Sequence, residues 1–273
     1  MNGNAGPERP SSFAPAFFFL PPRKREALAA VYGFCRAVDD AVDEPGSSDP
    51  RESINFWRQE LDRLYSGAPS HPVTKRLAGP VTQFGLEKEN FALLIEGMEH
   101  DIGPVRCKTF AELEWYMFRA ASAPGLLCAR IFGYRHAERA REYARLLGYA
   151  VQLTNIIRDV AEDARLDRIY LPLEDLGGFG LSENDILNGT RRERLAAALE
   201  REAARAREFY SLAAAALDPQ DRASMLPAAV MGGIYGALLD KISRRGFNVL
   251  EGKIRLNPAE KAFAVLGAIR RAL

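Results

Sequence analysis

The chain reads as an all-α protein, and three features of its 273 residues lead there. Apolar residues recur at spacings of three and four, the period of a helix with one buried face, and the alternating runs of a half-buried strand are almost absent. Proline and glycine cluster at spaced breaks (Pro21-Pro22, Pro45-Gly46, Gly67-Ala68-Pro69, Gly103-Pro104, Gly177-Gly178, Pro219, Pro258) that divide this pattern into segments. Alanine-rich runs at 195–204 and 213–216 add the highest helix propensity and side chains small enough for close helix approach.

The first expected helix covers 22–43 and starts at Pro22, whose missing N–H is no loss in a first turn. Others are expected at about 50–66, 72–84, 88–101, 110–133, 136–164, 190–217, 219–245 and 258–272. Pro124 should bend or break the 110–133 helix, because its ring excludes the preceding carbonyl and it offers no N–H. The 136–164 segment begins polar and arginine-rich, then becomes nearly apolar all round, as a helix buried on all sides does. Yet it ends in Arg158, Asp159, Glu162 and Asp163. Charges are rarely buried unless paired or metal-bound, so this end is expected to open into a cavity. No repeat or linker divides the chain, which gives a leader over 1–10 and one domain over 11–273.

Composition narrows the function. Hydrophobic residues make up 47% and charged residues 27%, with a net charge of +1. Such a balance argues against a dedicated nucleic-acid binder, which needs concentrated basic surface. Any anion must be handled by a local cluster. Cys35, Cys107 and Cys128 show no CxxC spacing, which fits a reducing, cytoplasmic setting and gives no zinc signature. The start MNGNAGPERPSS lacks signal-peptide order and reads as a disordered leader, and the apolar run 13–22 is far short of the roughly 20 residues of a membrane span.

Two acidic helices carry the chemistry. In the first, Asp39 and Asp43 are four apart and share a face, with Arg36 three before Asp39 and Asp40 beside them. Like charges at that spacing repel unless a cation lies between them, so the pair is either a solvated helix end or half of a metal site. In the second, Asn155, Asp159 and Asp163 form an i, i+4, i+8 stripe of oxygen ligands, with Arg158 and Glu162 alongside. Hard oxygen ligands without His or Cys suit Mg²⁺, with Mn²⁺ as a substitute. A surface ladder of ion pairs would look similar, but the apolar residues around Asn155 speak against a solvent face. Two such clusters facing each other could grip a Mg²⁺–diphosphate from both sides, with arginines on the remaining oxygens. That points to ionisation of a prenyl diphosphate. The histidines do not complete ExxH pairs, and no GxGxxG, Walker or GxSxG signature is present.

The ordered strings SSF, LPPRKREALAAVYGFCRAVDDAVDE, GMEHD and QLTNIIRDVAEDARLDRIYLP resemble the squalene/phytoene synthase family from about Ser11 to the C-terminal helix. The resemblance implies the isoprenoid-synthase helical fold, a single domain with a central cavity and two Asp-rich motifs across its mouth. It implies metal ligation by Asp39, Asp43, Asn155, Asp159 and Asp163, and diphosphate binding by Arg36 and Arg158. Ser11, Ser12, Lys24 or Arg25, Tyr235, and Lys253 or Arg255 would add phosphate contacts. Tyr116, in EWYMFRAASAPG, aligns with a family tyrosine implicated in the first chemical step; an aromatic core residue is the other reading. The family's YCY and VAGTVG become YMF and AASAPG here, with small side chains kept at Ala120, Ala121, Ala123 and Gly125 and Pro124 new.

Within the family, GMEHD, LEWY, LLCARIFGY and RIYLPLEDL look most like bacterial presqualene diphosphate synthases of hopanoid and squalene pathways. The resemblance then implies that two farnesyl diphosphates condense head to head to presqualene diphosphate, with Mg²⁺ and without NADPH. Phytoene, dehydrosqualene or complete squalene synthesis on the same fold remains open, as does a non-enzymatic assembly factor. A peripheral membrane contact through Phe17-Phe18-Phe19-Leu20 for product release, and the oligomeric state, are also open.

Overall fold

The computed structural model of the chain describes residues 20–43 and 49–272. Its helices are α1 (Pro22–Asp43), α2 (Pro50–Tyr65), α3 (Pro72–Phe84), α4 (Lys88–His100), α5 (Phe110–Met117), α6 (Ala123–Phe132), α7 (Ala137–Arg165), α8 (Leu173–Gly178), α9 (Glu183–Leu187), α10 (Arg192–Ala216), α11 (Leu226–Arg244) and α12 (Pro258–Ala272). The all-α expectation holds, and local chemistry sets many of the boundaries. Asp49 caps α2 by accepting from the Arg51 N–H, with Pro50 in the first turn. Gly85 ends α3 in the left-handed conformation at φ 59°, where a β-carbon would be strained.

The core is built around α7. Its buried residues run from Ala140 to Val160 and lie on several faces, as the apolar-all-round pattern implied. The helices α6, α10 and α11 pack along it. On the opposite side of the core, Phe34 of α1 meets Trp57 and Phe91 edge-on at 5.6 and 5.1 Å.

The structure corrects the expected 110–133 helix. Between α5 and α6 lies a π-helical turn, Phe118–Ser122, in which the Ala123 N–H donates to the Phe118 carbonyl five residues back. Pro124 then falls in the first turn of α6. The widened turn absorbs the proline that a continuous ladder could not accommodate. Glycines on two neighbouring helices grip this turn. A β-carbon on Gly148 of α7 would sit 2.5 Å from Ser122 Oγ and 2.7 Å from its Cα, and one on Gly97 of α4 would sit 2.9 Å from Arg119 Cβ.

Two further expectations change. The 219–245 helix is a 3₁₀ turn, Pro219–Asp221, followed by α11 from Leu226. The buried Asp221 is thereby free to accept from the backbone N–H groups of Arg135 and His136 at 2.7 and 3.1 Å, where α7 begins. A parallel bridge of two residues per strand, β1 (Val105–Arg106) with β2 (Arg168–Ile169), also appears where no strand was expected. It fastens the chain after α4 to the chain after α7. Among the described residues, no helix is long and apolar enough to cross a membrane.

Candidate active site

The C-terminal end of α1 and the C-terminal half of α7 face one cavity of about 370 Å³. Asp39, Asp43, Asn155, Asp159 and Asp163 all line it, together with Arg36 and Tyr116. Leu28, Val31, Leu94, Met98 and Ile156 give the same cavity an apolar wall. The acidic end of a buried helix does open into a cavity.

The carboxylates are crowded. Asp39 is exposed to the cavity rather than packed in the core, yet the walls and the nearby Asp43, Asp40 and Asp101 push its pKa up to about 6. Burial, followed by repulsion from Asp159, pushes Asp163 up to about 8. Basic groups offset part of this charge. Arg158 donates its Nε to Asp159 Oδ1 at 2.7 Å, and its Nη2 also bonds the same carboxylate. Burial opposes the Arg158 charge, but the Asp159 pairing outweighs it, and Tyr235 adds to the stabilisation. Lys253, from the segment after α11, places Nζ 3.0 Å from Asp159 Oδ1 and 2.5 Å from Glu162 Oε2. Arg168 Nη2 lies 2.8 Å from Asp43 Oδ1.

The alternatives left by the sequence are thereby placed. Lys253 rather than Arg255 reaches the acidic helix; Arg255 is exposed, and its carbonyl accepts from Lys241. Lys24 and Arg25 donate to the backbone carbonyls of Phe132 and Leu20. Arg36 lines the cavity but holds Asp40, with nitrogen–oxygen distances of 3.0 and 3.1 Å. Tyr235 is buried beside Arg158 and is not part of the cavity wall. Ser11 and Ser12, like Phe17–Phe19, lie outside the described residues.

Three residues that sequence reasoning assigned no role complete the site. Asp101 is buried and accepts from the Tyr116 hydroxyl at 2.9 Å and the Tyr170 hydroxyl at 2.6 Å. The two rings stack with centroids 4.6 Å apart. Burial first, and then Asp101, drives both hydroxyl pKa values far above the usual range. Arg168 donates to the Asp101 carbonyl at 2.7 Å as well as to Asp43, so it joins this network to the first acidic helix. The strings GMEHD and RIYLP contain these residues, but only the β1–β2 bridge brings them together.

The donor set fits Mg²⁺. Asn155 Oδ1 is buried without a hydrogen-bond partner, an uncommon loss that a cation would relieve. Among the described residues, no three carboxylate, His or Cys side chains form a closed metal centre. The ligands instead stand on opposite walls, an arrangement suited to an ion that binds few carboxylates and completes its shell with water and phosphate oxygens.

The squalene/phytoene synthase family model matches residues 8–260. A phytoene synthase from Arthrospira platensis is 37% identical over 246 residues, 84% of this chain and 79% of that protein. A presqualene diphosphate synthase from Sinorhizobium fredii is 36% identical over 256 residues, 92% of this chain and 90% of that protein. The crystal structure of a dehydrosqualene synthase in complex with ligand superposes with a TM-score of 0.87 at 27% identity, covering 97% of this chain and 92% of that one. With acidic helix ends facing one cavity and a family match over nearly its whole length, the chain belongs to the squalene/phytoene synthase family of head-to-head prenyltransferases.

Proposed function

We propose that this protein condenses two farnesyl diphosphates to presqualene diphosphate. The observation that carries this reading is the meeting of both acidic helices and the Tyr116–Asp101 pair on one partly apolar cavity. The end-to-end similarity to a presqualene diphosphate synthase favours the farnesyl substrate. When bound, Mg²⁺ supplies the positive charge that stabilises diphosphate as a leaving group. Asp39 and Asp43 on one wall, with Asn155, Asp159 and Asp163 on the other, are the residues to hold it. Arg36, Arg158 and Lys253 bind diphosphate oxygens in this reading, and Tyr235, expected from the sequence to join them, stands behind Arg158 and supports its guanidinium.

The allylic C–O bond of the first substrate breaks, and the 2,3 double bond of the second attacks the resulting cation. Loss of a proton closes the cyclopropane. Tyr116 can accept that proton while its own passes to Asp101, to which it is already hydrogen-bonded. Released diphosphate is the other acceptor. The apolar wall limits the water that would quench the cation.

The test is incubation with Mg²⁺ and farnesyl diphosphate without NADPH, with products identified by mass spectrometry. Presqualene diphosphate is the expected product. Turnover of geranylgeranyl diphosphate alone would instead assign phytoene synthesis, the reading favoured by the similarity to a phytoene synthase. Turnover unchanged in both Asp39→Asn and Asp159→Asn would count against this site.

A further inference from the structure

The C-terminal helix α12 turns an apolar face outward. Phe263 and Leu266 are 76% and 62% exposed, the highest values among the exposed large hydrophobic residues. They sit three apart on one helix face, and the exposed Ala259 and Ala262 fall on the same face by helical period. Arg270 follows one turn beyond. The opposite face is fixed by close packing on α11: a β-carbon on Gly233 would meet Ala268 Cβ at 3.0 Å and the Ala264 carbonyl at 3.1 Å. The outward orientation is therefore set by the fold.

Charge identifies the kind of partner. Residues 241–272 contain eight Lys and Arg but only two acidic residues, Glu251 and Glu260, in a chain whose net charge is +1. Glu260 is paired with Lys241 at 2.6 Å. Arg244, Arg245, Arg255, Lys261, Arg270 and Arg271 are exposed and, among the described residues, form no ion pair with a carboxylate within 4 Å, although Arg244 lies near enough to Glu260 to act on its charge. A two-fold contact between copies would set this basic surface against itself, which like-charge repulsion disfavours. Nucleic acid would leave Phe263 and Leu266 unused. An exposed amphipathic helix flanked by arginine and lysine suits the interface of an anionic bilayer.

Adjoining this face, α7, α10, α11 and α12 enclose a second cleft of about 800 Å³, separate from the active-site cavity, and Phe263 stands at its edge as one of its lining residues. It is lined by residues such as Leu147, Ala213, Gly236 and Ala264, with Arg222 and Arg271 and the Arg207–Asp240 pair also contributing. That composition suits an apolar chain with an anionic head. We propose that α12 and its arginine-rich surroundings form a docking surface for an anionic lipid bilayer. The proposal goes beyond the reaction and is independent of which prenyl diphosphate is used.

Vesicle flotation of the full chain tests it, using phosphatidylcholine alone and phosphatidylcholine mixed with phosphatidylglycerol. The protein should float with the mixed vesicles, and added salt should weaken that binding. The double variant Phe263→Ser/Leu266→Ser should lower vesicle partitioning on the order of tenfold or more. Arg270→Glu/Arg271→Glu should also lower it, and both double variants should retain turnover of detergent-dispersed substrate. Equal binding to neutral vesicles, or binding unchanged by both double variants, would overturn the proposal. So would a dimer in sedimentation that Phe263→Ser/Leu266→Ser dissolves, because the face would then be an interface between copies.

Discussion

The Tyr116 hydroxyl donates to Asp101 Oδ2 at 2.9 Å, and both residues are buried. Tyr116→Phe keeps the ring stack on Tyr170 but removes the hydroxyl. It is expected to lower kcat by about 100-fold, within the range for loss of one acid–base group, with the unfolding midpoint changed little. Asp101→Leu strands two tyrosine hydroxyls and should cost about 1–3 kcal/mol for each. Steady-state kinetics with urea unfolding of both variants separates the two effects.

Asp39 and Asp163 carry pKa values raised to about 6 and about 8, because burial and neighbouring carboxylates disfavour the ionised form of each until a cation is present. Asp39→Asn or Asp163→Asn should raise the Mg²⁺ concentration needed for half-maximal turnover. The same change should leave Tm of the metal-free protein equal or about 2 °C higher, because repulsion is relieved. Metal titration of turnover beside thermal melts in chelator reads both. A lowered Tm with unchanged metal dependence would assign these aspartates to scaffolding.

Gly148→Ala would force a β-carbon to within 2.8 Å of the Ser122 backbone nitrogen. Neither backbone can yield cheaply, so a loss of about 2–4 kcal/mol is expected from urea unfolding. Gly236 is the control, since nothing lies within 4 Å of its would-be β-carbon. Gly236→Ala should be neutral or stabilise by about 0.5–1 kcal/mol through helix propensity.

Glu60 is fully buried and accepts from the His71 N–H at 2.8 Å, Thr74 Oγ1 at 2.7 Å, the Ser70 N–H and hydroxyl, and Arg63. Burial alone would raise its pKa, but these hydrogen bonds outweigh burial and hold it well below the usual range. A depressed carboxylate stabilises the fold above its unfolded pKa of about 4.3 and loses that contribution as pH falls. Glu60→Gln should therefore lower Tm at pH 7, and the gap to the parent should narrow below about pH 4.

The helical period made the all-α fold legible, and oxygen ligands four apart on two segments indicated the acidic walls of the site. Pro124 marked the right place for a disturbance. Its form, a π-turn gripped by Gly97 and Gly148, depends on contacts between distant helices that no local pattern encodes. Asp101, Arg168 and Tyr170 had the same difficulty. Each looks ordinary in its own segment, and they meet only because a two-residue bridge joins the loops carrying them. Arg36 shares a face with Asp39, yet the structure gives its guanidinium to Asp40, an equally local choice that periodicity does not decide.

The Lys253 ammonium completes the charge set of Asp159 and Glu162 from 91 residues beyond Glu162, and Arg168 reaches Asp43 across 125. Contacts of such sequence separation cost more chain entropy to close than local ones do. During synthesis, the first acidic helix is made long before Arg168, and the second long before Lys253. A nascent chain stopped short of Lys253 carries Asp159 with Arg158 but without this ammonium, so the charge set of the second acidic helix is completed only by residues made well after it.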